Sequence, residues 1–167
     1  MIVFALLAAL GLLISLAANV STFFDVEPIH RWPYLWLLHL GVFVVFIPAI
    51  SVQSQQGSHR PFAWREVFGC APAWLRWTLV LLIVYAPVSA LAFVSVCGTG
   101  GPSKEADGTY AMTSHGRILR MLTANEYHRA SGYEFRFMSS WWIMFYSVSL
   151  AMLVSAMSRE KAFATRH

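Results

Sequence analysis

The chain reads as an all-α integral membrane protein: a four-transmembrane-helix bundle with a polar loop of about 40 residues between helices 3 and 4. Three observations predict this. Of 167 residues, 57% are hydrophobic and 12% charged, whereas soluble domains carry about 25% charged residues. Four predominantly apolar runs approach the ~20 residues needed to cross a hydrocarbon core ~30 Å thick. Tryptophan and tyrosine gather at the ends of these runs, where amphipathic rings favour the boundary between hydrocarbon and water. Helices are required, because a lone strand leaves its backbone groups unpaired in lipid.

The first run extends from about Met1 to Val20. Its length, with Ala17 and Ala18 near its end, also suits a cleaved secretory signal, but no cationic segment precedes the apolar stretch. A span is the expectation, with a three-span mature chain as the alternative. The second run, Tyr34 to Val52, is flanked by Trp32, Tyr34 and Trp36. The third, Leu75 to Val96, opens on Trp74 and Trp77, and the fourth, Ser139 to Met157, on Trp141 and Trp142. Pro48 and Pro87 fall inside spans, where each removes a backbone donor and tends to kink its helix. The whole of 1–167 is one transmembrane domain, with 97–138 as its extramembrane connection.

Within that connection, Gly98 to Gly108 is rich in turn and breaker residues and predicts an irregular loop. Tyr110–Thr113 and Ile118–Leu122 flank Ser-His-Gly, a pattern for a short hairpin with Gly116 at positive φ. Thr123 and Glu126 have capping-box spacing and predict a short helix from Ala124. Gly132 should interrupt it, and the alternation of Tyr133–Phe137 also suits a strand.

The net charge of +4 is dispersed among the connections rather than gathered in a stripe, which argues against nucleic acid. Lysine and arginine divide evenly between the two sides of the membrane. Discounting Arg117 and Arg120, which lie far from any span end, tips the balance toward cytoplasmic termini, with 97–138 on the opposite side. The expected setting is a bacterial-type inner membrane.

Chemistry-bearing residues are sparse. The span cores hold no acid, and no base other than histidine, so the marks of a proton-coupled transporter are missing. Asn19, Ser15, Thr78 and Ser89 do not supply a path. His39 is the one histidine inside a span. Its bland role is a neutral imidazole bonded to a neighbour; its functional role is a haem or metal ligand, but haem held between spans needs a second histidine at similar depth. His30, His39, His115, His128 and Cys97 all fall toward one side, and imidazole with thiolate would suit zinc or copper. Their spacing contains no metal-site pair, and Cys70 and Cys97 form no CxxC, so no cofactor is expected. Glycine-rich Gly98–Gly101 lacks the strand-to-helix setting of a phosphate loop, and no nucleophile elbow or HExxH occurs. Glu126 and Glu134 share no fixed geometry for acid–base work.

Small residues carry a clearer meaning, because helices in lipid pack where small side chains admit close backbone approach. Gly11 and Ser15 in the first run, and Ser147, Ala151 and Ser155 in the fourth, predict packing faces. A non-enzymatic protein is therefore expected. Its role would be accessory, assembly or immunity-type, binding a membrane protein partner through 97–138, with a homo-oligomer as the other expected partner. The alternatives are a metal- or haem-binding subunit of a membrane redox complex, and an oligomeric pore.

Overall fold

A computed structural model describes residues 1–24, 32–55 and 73–164. His30, Cys70 and most of the connection between the second and third runs lie outside them. Four helices are long and apolar enough to cross a membrane. Helix α1 covers Ile2–Ser21, α2 Leu37–Gln55, α3 Ala73–Cys97 and α4 Ala124–Ala164. A single 3-10 turn, Pro33–Trp36, leads into α2 with Pro33 at its first position, where a missing N–H leaves no intrahelical bond unmade. Pro48 and Pro87 both lie within continuous helices.

Helix α4 is the hub. It packs against α1, α2, α3 and the polar segment before it, and α2 packs against α1 as well. In its most apolar stretch 61% of α4 is buried, against 33% for α1 and 17% for α2 and α3. Pairings along α4 give the directions. Ala5, Ala49 and Leu79 meet Ala151, Met152 and Leu153 at one end; farther along, Asn19 reaches Ser139, Phe93 stacks on Phe137 and Cys97 reaches Ala130. Helices α1 and α3 thus run antiparallel to α4. Helix α2 runs parallel to it, from Leu38 beside Tyr146 to Gln53 beside Met152.

The tightest approach is at Tyr146. Its ring lies against Gly11 of α1 and its hydroxyl against Gly41 of α2, so close that a Cβ at either glycine would collide with it. The same hydroxyl donates to the Leu38 carbonyl oxygen at 2.8 Å. One buried side chain thereby sets the spacing of three helices.

Two expectations for the polar segment need correction. Helix α4 is unbroken from Ala124: Gly132 does not interrupt it, and Tyr133–Phe137 is helical rather than extended. The Gly98–Gly108 stretch is not wholly irregular, because Gly101–Lys104 forms strand β1. It pairs antiparallel with β2 (Tyr110–Ser114), which pairs antiparallel with β3 (Arg117–Leu122). The chain is therefore mostly helical with a three-stranded sheet, in the order β1-β2-β3, rather than all-α. The β2–β3 turn places His115 at φ 49° and Gly116 at φ 76°, the two consecutive positive values that a two-residue type I′ turn requires.

A double-mutant cycle tests the Tyr146 contact. Gly41→Ala should destabilise the protein by about 1–3 kcal/mol, the usual penalty for overpacking. Tyr146→Phe should largely remove that penalty, because the added methyl would strike the hydroxyl; it should not rescue Gly11→Ala, whose methyl strikes the ring itself. Unfolding titrations in mixed micelles give the coupling, and equal behaviour of the two glycines would contradict this geometry.

Candidate functional site

The polar segment and the first turns of α4 form a cap, and its anchors follow from local chemistry. Thr123 and Glu126 complete the capping box. The Thr123 N–H donates to Glu126 Oε2 at 2.8 Å, and the Glu126 N–H to Thr123 Oγ1 at 3.3 Å, satisfying amides that a helix start leaves unpaired. Arg120 of β3 donates to the other oxygen of Glu126 at 2.8 Å, which ties sheet to helix. Tyr110 stacks on Tyr127 with centroids 4.4 Å apart, and Met112, Leu122, Tyr127 and Ala130 close a small core against Cys97. In the β1–β2 connection, Asp107 accepts from the Thr109 hydroxyl at 2.7 Å and the Thr109 N–H at 2.9 Å. These bonds, the side-chain one foremost, hold its carboxyl below the usual carboxylate range.

The sheet faces outward on one side. Strand β3 is an edge strand, and along it Ile118, Leu119 and Met121 are 56%, 54% and 54% exposed. A register irregularity between Met112 and Thr113 pairs them with Arg120 and Ile118, leaving Leu119 as the extra residue of a bulge. The hairpin tip lies beside the end of α3, where the Ser114 hydroxyl donates to the Thr99 carbonyl oxygen at 3.1 Å.

Below the cap a polar seam crosses the bundle. Asn19 Nδ2 donates to Ser139 Oγ at 2.7 Å and to the Arg136 carbonyl oxygen at 3.3 Å. The Tyr85 hydroxyl donates to Asn19 Oδ1 at 2.8 Å, so one amide joins α1, α3 and α4. Arg136 itself donates to the Gly132 carbonyl oxygen and lies over the rings of Phe23 and Tyr133, 4.7 and 4.3 Å from their centroids. A second clip lies at the opposite end, where Arg159 donates to Gln53 and Gln53 donates to the Met152 carbonyl oxygen.

Among the described residues, His39, His115, His128 and Cys97 are dispersed. His39 accepts a hydrogen bond at Nδ1 from the Trp142 indole, 3.2 Å away, which places any proton of a neutral ring on Nε2. The Cys97 thiol is buried and donates weakly to the Ala130 carbonyl oxygen at 3.9 Å. These two contacts meet α4 ~18 Å apart along its axis, at ~1.5 Å per residue. His115 lies in the hairpin turn and His128 beside the Tyr127 and Tyr110 rings. Among the described residues no three His, Cys, Asp or Glu side chains gather as metal ligands.

The small residues lie inside: Gly11, Ser15, Ser147, Ala151 and Ser155 are all buried. The Ser147 hydroxyl donates to the Met144 carbonyl oxygen. That of Ser15 has no partner among the described residues, at a desolvation cost of about 1–3 kcal/mol. The Asn19–Tyr85–Ser139 seam is what the sequence reading missed. Its one local signal was an amide late in an apolar run.

Replacing Asn19 with Ala should lower stability by roughly 1–2 kcal/mol, for three interhelical hydrogen bonds at about 0.6 kcal/mol each. Tyr85→Phe, which removes one of the three, should cost about a third as much. Wild-type stability of Asn19→Ala in the same unfolding titrations would mean that the seam carries no load. No known family, curated protein or solved structure matches the chain.

Proposed function

We propose that the chain crosses a bacterial-type inner membrane four times and acts as a non-enzymatic accessory subunit, of assembly or immunity type, that docks a partner membrane protein on its cap. The observation that carries this reading is the edge strand β3, which offers both an unpaired backbone edge and three exposed apolar side chains. Soluble proteins usually blunt such edges, because they invite another strand. Here Arg117 flanks the apolar residues, whereas Arg120 is held against Glu126. The Arg117 charge disfavours self-pairing of like edges and suits a partner segment that is extended, apolar and acidic, added by strand augmentation.

Support for the membrane placement comes from the outward faces of α1, α2 and α3. Leu6, Leu13, Leu40, Ile47, Leu81 and Leu91 are all exposed, an arrangement that suits contact with lipid, since soluble monomers rarely expose large contiguous apolar patches. Helix α4 is 41 residues, or about 61 Å at 1.5 Å per residue, about twice the ~30 Å of hydrocarbon. Its first third therefore rises from the bilayer and carries the sheet. The termini are cytoplasmic and the cap lies on the opposite face.

The test uses the full chain in native membranes, with a photo-crosslinking residue at position 119. A single discrete adduct is expected. Adding Ile118→Asp and Met121→Asp should reduce it by roughly tenfold or more, while such surface changes leave stability within about 0.5 kcal/mol. An adduct that survives both acidic substitutions, or no protein adduct at all, would contradict strand addition at β3.

A further inference from the structure

A groove lies between α1 and α2 on the outside of the bundle. Its volume is about 430 Å³, within the ~300–1,000 Å³ of small-molecule sites. Leu10 and Ile14 of α1 and Leu38 and Val44 of α2 form its walls, and Gly11, Gly41 and Tyr146 its floor. Those are the residues of the tightest helix contact, so the floor is fixed in place by the packing of three helices.

We propose that this groove binds one acyl chain of a lipid. Among the described residues no charged side chain lines it, so a polar or ionic ligand would lose its hydration without compensation. Trp32 and Tyr34 stand at one end, and such rings mark the depth of lipid headgroups. From Tyr34 to Val45 the α2 side of the groove is ~16 Å long at ~1.5 Å per residue, close to half of a ~30 Å hydrocarbon core. One chain of one leaflet fits that length, with its headgroup beside Trp32 and its methyl end near the midplane. The occupant is one acyl chain of a bilayer phospholipid, and binding of the free fatty acid alone would contradict that assignment. This site is independent of the cap.

The test places the intact protein in bilayer nanodiscs containing a phosphatidylglycerol with a diazirine midway along one chain. Adducts are then mapped by peptide mass spectrometry. Helix α3 is the internal control, since Leu81, Val84, Val88 and Leu91 are as exposed as the groove walls. Adducts on 7–14 and 34–45 should exceed those on 81–91 by roughly tenfold, the ratio that corresponds to about 1.4 kcal/mol of preference. Val44→Trp and Leu10→Trp, each filling the groove from an exposed wall position, should abolish the excess. Competition with unlabelled phosphatidylglycerol or with palmitate identifies the carrier of the chain. Equal labelling of the two faces, or an excess that persists in both tryptophan variants, would overturn the proposal.

Discussion

Tyr146 is wedged between two glycines, and the arrangement of the helices depends on that contact. With Gly11 against the ring and Gly41 against the hydroxyl, the backbones of α1 and α2 close directly on this one side chain of α4, where dispersion forces and the bond to Leu38 operate together. The hydrophobic effect offers little drive for helices to associate within lipid, so this geometric fit has to supply it. Asn19 repeats the principle with polar groups, joining α1, α3 and α4 at one level through a single amide. The two contacts together surround α4 with the other three helices.

A helix surrounded by protein obeys different rules from one facing lipid. Helix α4 is the least apolar of the four candidate spans, yet the most buried. Its serines Ser139, Ser140, Ser147, Ser149 and Ser155 are nearly inaccessible, and several donate back to carbonyls of the preceding turn. Those bonds satisfy the hydroxyls internally, and the small side chains let neighbours approach from all sides. Helices α1, α2 and α3 present leucine, isoleucine and valine outward instead. That division of labour leaves α4 free to extend beyond the others and to carry the sheet.

How much of this was legible in the sequence varies by the range of the interaction involved. The four apolar runs, the hairpin around Gly116 and the Thr123–Glu126 capping box are local patterns, and each forms close to where its residues suggest. Strand β1 was not legible: Gly-Pro-Ser-Lys has no hydrophobic alternation and is held by its pairing to β2. The continuity of α4 through Gly132 was also hidden. A glycine costs a helix only about 1 kcal/mol, and the packing of Tyr127, Ala130 and Phe135 on either side outweighs it. Four-residue spacing drew attention to Gly11, Ser15, Ser147, Ala151 and Ser155, all of them buried, but it contained no hint that Tyr146 would join Gly11 to Gly41. Those partners are more than a hundred residues apart in sequence, and so are Asn19 and Ser139. As for the candidate site, the exposed edge of β3 becomes visible only once the strand order is known.

A proposed cap for a protein partner and a proposed groove for a lipid chain both rest on α4 being enclosed by protein within the bilayer. A nitroxide scan in lipid bilayers, reading collisions with dissolved oxygen, measures this directly along Trp142–Ala156 and along Leu79–Phe93. Oxygen contact should oscillate with the helical period along α3, peaking at Leu81, Val84, Val88 and Leu91, and stay well below those peaks along α4, where even the half-buried Phe145, Val148 and Val154 are largely covered. An oscillation of equal amplitude along α4 would show it facing lipid and contradict the enclosed-hub arrangement.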